Sequence, residues 1–259
     1  SEALTSPDLN LSQIPVNLND HGIQFPSGEE VSWSDISRIS TNLNAVYFLE
    51  NDTINKVQEF SPRSNRYYSL MPTQSAPTML ISGIPMHRIK DTNPWKDTVE
   101  KINAFGGING KLLDINTGLG YTAIQASKKA SEVVTIEIEP TVLALCRQNP
   151  WSRPLFGSRN IQTILGDSYD IVSGFPDNSF ERVLHDPPTF ALAGDLYSQY
   201  FYEQLFRVLT PNGKLFHYIG NPNSKTGASV TRGVISRLQA VGFKHLTPRP
   251  DAFGLLALK

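Results

Sequence analysis

Leu112-Leu113-Asp114-Ile115-Asn116-Thr117-Gly118-Leu119-Gly120-Tyr121-Thr122-Ala123 holds the strongest fold signal in the chain. Two leucines run into an acid, a turn holding Gly118 and Gly120 follows, and a helix-like segment opens at Tyr121. A strand, a tight loop and a helix start in that order form the opening unit of an α/β nucleotide-type fold. Glycine suits such a loop because it reaches backbone angles denied to other residues and lets a ligand approach the main chain. The helix after it aims free N–H groups at the same spot.

Downstream, strand and helix patterns alternate. Residues 111–115, 133–138, 161–165, 182–185 and 214–219 read as strands. Residues 123–130, 141–148 (Pro140 in the first turn), 197–209 (ended by Pro211-Asn212-Gly213) and 229–241 read as helices. Residues 243–247 and 253–258 read as a terminal hairpin. The pattern predicts a doubly wound, mostly parallel, seven-stranded Rossmann-like sheet, with the strand-end loops along one edge where ligands bind. Upstream, a helix is expected over 94–104, broken by Gly106-Gly107. Residues 22–92 alternate short apolar runs with polar and Gly/Pro punctuation, which predicts a small β-rich domain, with one helix near 32–40 capped by Ser34. Residues 1–21 are expected to be a loosely ordered lead-in. The predicted domains are therefore 22–92 and 93–259.

The 259 residues suffice for one large domain or two. Lys+Arg 23 against Asp+Glu 24 offers no bulk electrostatic case for nucleic acid or membrane, although a local basic patch stays open. No apolar run reaches bilayer-spanning length and no basic-then-apolar leader is visible, so a cytoplasmic location without membrane is the expectation. The single cysteine, Cys146, excludes an internal disulfide framework and reads as a core residue, and no metal is expected.

Gly118, Gly120 and Ala123 also satisfy the dinucleotide pattern G-x-G-x-x-G/A, with Glu137 at a suitable distance. Three acids shift the expectation to S-adenosylmethionine. Asp114 ends the first strand beside the loop, where it would repel a pyrophosphate but suit the cationic end of adenosylmethionine, directly or through water. Glu137 ends the second strand, where its two oxygens can accept both ribose hydroxyls. Gly166-Asp167 ends the third, where a carboxylate can accept from an adenine amino group. Asn116, Thr117, Tyr121, Ile138 and Ser168 complete the expected cofactor wall.

The set LLDINTGLG, IEIEP, LGD and HDPPTF resembles class I S-adenosylmethionine-dependent methyltransferases, with Asn116 where their first loop glycine usually stands. MHRIKDTNPWKDT and HDPPTFALAGDLYSQYFYEQLFRVLTPNGKLFHYIGNP are similar to a group of predicted methyltransferases best represented in archaea. The resemblance covers roughly residues 67–259 and implies the cofactor and reaction class, but brings no agreed substrate.

Asp186-Pro187-Pro188-Thr189-Phe190 follows the fourth strand, and the resemblance puts that strand's end opposite the sulfonium. Two prolines fix φ and remove two N–H donors, so the loop is stiff and presents carbonyls. Asp186 and those carbonyls suit the hydrogens of a planar amine, and Phe190 can stack on its ring. The run resembles the [DN]-P-P-[YFW] signature of enzymes methylating nucleobase or glutamine nitrogens, with Thr189 in the aromatic position. RNA or a small amine is the expected methyl acceptor, and a dimer is compatible with the sequence. His185 reads as a general base or a core histidine, Tyr197 as packing or a substrate-side residue, His217 and Tyr218 as core or cleft wall, and Asn221-Pro222-Asn223 as substrate side. Lys225, Arg232 and Arg237 read as a solvated face or phosphate contacts.

Other readings stay open. The β-rich start, LISGIPMHRIKD and DLYSQYFYEQLFRVLTPNGKLF are similar to polyamine aminopropyltransferases, which use decarboxylated adenosylmethionine. Their GGGDGG loop and the first acid of their D-x-x-D pair are absent. A non-catalytic cofactor-binding subunit and, more distantly, a nicotinamide oxidoreductase are the remaining alternatives.

Overall fold

The computed structural model describes residues 1–51, 53–190, 192–221 and 225–259, with the backbone alone at 225 and 226. It divides into two units, Ser1–Trp95 with Thr141–Arg153, and Lys96–Pro140 with Pro154–Lys259.

The first unit opens with β1 (Glu2–Thr5), β2 (Ile14–Leu18), β3 (Gly22–Gln24) and β4 (Glu30–Ser32), which pair in that order. Residues 1–21 are thus not a loose lead-in: Ala3 pairs with Val16, and Asn17 with Gln24. Only Val16 of β1 and β2 is buried, so no apolar alternation announces either strand. Helix α1 (Trp33–Ser40) follows, and its cap is Ser32 rather than Ser34, because the Ser32 hydroxyl accepts from the Asp35 N–H at 3.1 Å. Strands β5 (Tyr47–Glu50) and β6 (Thr53–Lys56) form a hairpin. Strands β7 (Gln58–Ser61), β8 (Arg66–Met71), β9 (Thr78–Ile81) and β10 (Ile84–Pro85) form a second antiparallel sheet.

The chain then runs through α2 (Pro94–Asn103), β11 (Lys111–Asp114), α3 (Tyr121–Ser127), β12 (Glu132–Glu137), α4 (Pro140–Gln148), α5 (Arg153–Gly157), β13 (Ile161–Leu165) and α6 (Ser168–Ile171). It ends with β14 (Phe180–His185), α7 (Gln199–Val208), β15 (Leu209–Tyr218), α8 (Lys225–Val241), β16 (Lys244–Arg249) and β17 (Gly254–Leu258). The seven strands of the second unit lie in the order β13-β12-β11-β14-β15-β17-β16, and β17 is antiparallel to both neighbours. Strands β11 to β15 are mutually parallel, so their C-terminal ends share one edge of the sheet. Leu112, Leu113, Val133, Ile136, Val183 and Leu184 are buried, as expected of strands covered on both faces.

The segment expected as one helix over 197–209 is broken. A short turn over Gly194–Tyr197 precedes α7, which starts after Ser198, whose hydroxyl accepts from the Phe201 N–H. Pro211-Asn212-Gly213 does not end the helix. Leu209 already pairs with Phe180, and the register shifts before Lys214 pairs with Arg182. Asn212 supplies the left-handed backbone (φ 63°) of this irregularity.

Candidate active site

Three acids end three neighbouring strands, Asp114 on β11 and Glu137 on β12, with Asp167 just past β13. Asp114 is completely buried beneath the glycine loop. Its Oδ2 accepts from the Thr122 and Thr135 hydroxyls at 3.0 Å each, and its Oδ1 has no partner. Burial pushes its carboxyl up to about 8, against the pull of those two hydrogen bonds. The carboxyl group is therefore sealed in and keeps its proton near neutral pH, and a cofactor tail would reach it only through water or a shift of the loop.

The loop itself is held at Thr117, whose N–H donates to the Ile136 carbonyl and whose hydroxyl meets that of Thr135 at 2.7 Å. Gly118 has φ 52°, and nothing lies within 4 Å of where a Cβ would stand, so its face is open. Gly120 has φ 76° and leads into α3 through the buried Tyr121. Asn116 contributes a buried side-chain oxygen without a partner. Glu137 ties loop to strand: Oε2 accepts from the Gly118 N–H at 2.9 Å, and Oε1 from the Glu139 N–H at 3.0 Å. Burial raises its carboxyl to about 7, opposed by these backbone donors. Beside it, Ile138 is partly exposed. After Gly166, Asp167 caps α6 by accepting from the Tyr169 N–H, and the Ser168 hydroxyl donates to the Ile115 carbonyl at 2.6 Å.

At the end of β14 stands an ion pair that sequence reasoning missed. Lys101 of α2 places its Nζ 2.6 Å from Asp186 Oδ2 and 2.9 Å from Asp97 Oδ2. Burial works against the charge on Lys101, but the two carboxylates hold its pKa above the ordinary lysine value. Spacing alone reads Asp97–Lys101 as an ordinary surface i,i+4 pair. Only the 85-residue closure to Asp186 reveals its place. Among the loop prolines, Pro188 offers its carbonyl to the Tyr197 hydroxyl at 3.0 Å, while Phe190 is 54% exposed and meets the Tyr197 ring edge-on. Tyr197 is buried, so it braces the loop rather than lining an open wall.

His185 is fully buried, with Nε2 donating to the Leu196 carbonyl at 2.9 Å. Burial pushes its pKa down to about 3, so the imidazole stays neutral in the core and is not placed as a general base. His217 is also fully buried, which lowers its pKa well below the ordinary value, and its Nε2 accepts from the Tyr202 hydroxyl. Asn221 is exposed after β15; Pro222, Asn223 and the Lys225 side chain lie outside the described residues. Arg232 is exposed, and Arg237 is bonded to the Tyr202 hydroxyl.

Residues 113–217 match the family described as a methyltransferase domain. The uncharacterized protein MJ1233 of Methanocaldococcus jannaschii is 45% identical over 238 residues, 91% of this chain and 81% of that protein. The chain belongs to the family of MJ1233. Polyamine aminopropyltransferase 2 of Streptomyces coelicolor is 27% identical over 157 residues, 58% of this chain but 28% of that enzyme. Among solved structures, spermidine synthase in complex with the transition state analogue AdoDATO superposes with a TM-score of 0.64 at 15% identity. The superposition covers 83% of this chain and 80% of that one, a likeness of fold alone. Among the described residues, no helix is long and apolar enough to cross a membrane.

Proposed function

We propose that the protein transfers a methyl group from S-adenosylmethionine to a nitrogen of a nucleobase, in RNA or free, or of a small amine held at Asp186-Pro187-Pro188. The observation that carries this reading is the row of acids at the ends of β11, β12 and β13 around an open glycine loop, with Asp186 next along the same edge. The residues fit the cofactor. Gly118 leaves room where a Cβ would stand, and Asp114 and Asn116 each hold a buried side-chain oxygen without a partner. Glu137 would take the ribose hydroxyls and Asp167 the adenine amino group. The bound cofactor supplies an electrophilic methyl on a sulfonium.

The chain's own contribution is positioning. Methyl transfer needs a nitrogen lone pair held in line and water kept out, and orientation alone is worth roughly 7–11 kcal/mol in favourable cases. Asp186 and the Pro188 side of the loop accept the hydrogens of the acceptor and so turn its lone pair inward. Phe190 offers an exposed aromatic face beside them. Neither buried histidine is available to take the proton, which instead leaves the product nitrogen to solvent.

The second reading is an aminopropyltransferase-like enzyme, favoured by the 27% identity to a polyamine aminopropyltransferase over 58% of the chain. Titration calorimetry with S-adenosylmethionine, S-adenosylhomocysteine and decarboxylated S-adenosylmethionine separates the two. Tighter binding of the first two supports methyl transfer; preference for the third overturns it.

A further inference from the structure

We infer that Lys101 is the specificity-determining positioning residue of the acceptor loop: by holding Asp186 it makes the loop take an uncharged N–H donor and turn away a cationic amine. The inference rests on the placement of the acceptor at Asp186 proposed above. An ammonium has three N–H donors. Those of Lys101 face Asp97 Oδ2, Asp186 Oδ2 and the Tyr218 ring, whose centroid lies 4.5 Å away. The lysine side chain is 6% exposed and Asp97 1%, whereas Asp186 keeps 23%. Lys101 has no donor left for a substrate and acts only through Asp186.

The consequence for Asp186 is twofold. One oxygen is engaged by the ion pair, which leaves Oδ1 as the oxygen that Lys101 does not occupy. Its charge is also partly offset at contact distance by a buried cation, shared with Asp97, so an approaching ammonium meets a weaker field than a bare carboxylate would give. Such masking costs a cationic ligand far more than a neutral hydrogen-bond donor, the usual way a site discriminates by charge.

The helix that carries Lys101 is itself tied to the sheet. The carbonyls past the end of α2 receive three cations from the sheet: Arg249 Nε on Ala104 at 2.9 Å, Lys214 Nζ on Phe105 at 2.8 Å, and Arg182 Nε on Gly107 at 3.2 Å. Basic groups at a helix C-terminus complement its dipole and satisfy carbonyls left over by the helix. Strands β14, β15 and β16 thus anchor the helix that delivers Lys101.

The test is spermidine binding, by calorimetry at low salt, to the full chain loaded with S-adenosylhomocysteine. Wild type is expected to show no saturable binding below about 1 mM. Lys101→Met unmasks Asp186 and is expected to gain at least tenfold in affinity, Lys101→Arg to behave as wild type, and Asp186→Asn in the Lys101→Met background to lose the gain. Because Lys101→Met leaves Asp97 buried without its cation, the double variant Asp97→Asn/Lys101→Met removes the orphan charge and is expected to show the same gain. Saturable, Asp186-dependent spermidine binding to wild type, or affinities within twofold across the series, overturns the inference. If S-adenosylhomocysteine does not bind, the cofactor reading falls instead, and the spermidine series on the unliganded chain still reads Lys101.

Discussion

Replacing Glu137 by alanine removes the carboxylate that both fastens the glycine loop and faces the expected ribose. Two hydrogen bonds from ribose hydroxyls to a carboxylate are worth about 1.5–3 kcal/mol each. Burial raises the carboxyl to about 7, so near neutrality part of that gain goes into ionising it, which favours the lower end. A net loss of about 3 kcal/mol corresponds to roughly a hundredfold in affinity. Tenfold is the floor. Glu137 also accepts from the Gly118 N–H, so the alanine variant loosens the loop as well as losing the ligand contact. Glu137→Gln separates the two, since its amide oxygen can still take the Gly118 N–H; it should weaken binding about tenfold through loss of one charged acceptor. The assay is calorimetric titration of S-adenosylmethionine at pH 8, with circular dichroism to confirm folding. Folded Glu137→Ala protein binding within twofold of wild type would refute the assignment.

Asp186→Ala should leave S-adenosylhomocysteine affinity unchanged within a few fold while abolishing methyl transfer to the eventual acceptor; normal turnover would show that the loop is not where the acceptor sits. Gly118→Ala should cost about 1 kcal/mol of stability, from its left-handed φ of 52°, yet lose cofactor binding disproportionately by filling the open cradle, which melting and titration together measure. His185 has a folded pKa near 3 against about 6.5 when unfolded, so below pH 6.5 the unfolded chain binds a proton that the folded one refuses. Wild type should therefore lose stability relative to His185→Gln as pH falls from 6.5 towards 3; parallel melting curves would contradict a buried neutral imidazole. Asp114 runs the other way: its carboxyl is raised to about 8, so the folded state keeps a proton the unfolded state has lost, and Asp114→Asn should gain stability relative to wild type as pH climbs from 4 to 8.

Much of the second unit was legible from local pattern. Apolar runs ending at Asp114, Glu137 and His185, glycines at 118 and 120, and intervening helical periods specify a parallel sheet whatever the rest of the chain does. The same local character put Asp114, Glu137, Asp167 and Asp186 at strand ends, because strand ends are where apolar runs stop. Strands β1 and β2 were not legible: a short edge strand draws its order from partner backbone, which carries no side-chain signature. Nor was the fate of the charged groups. Whether Asp114 faces a ligand or is sealed under a loop, whether His185 titrates or sits neutral, and whether Lys101 is a surface lysine or the partner of Asp186 all depend on desolvation and on contacts between residues far apart in the chain. Local pattern was enough for the sheet, its edge and the residue types along it. Which of those groups keep their charge follows from the folded arrangement, because burial and distant counter-ions, not local identity, set that balance.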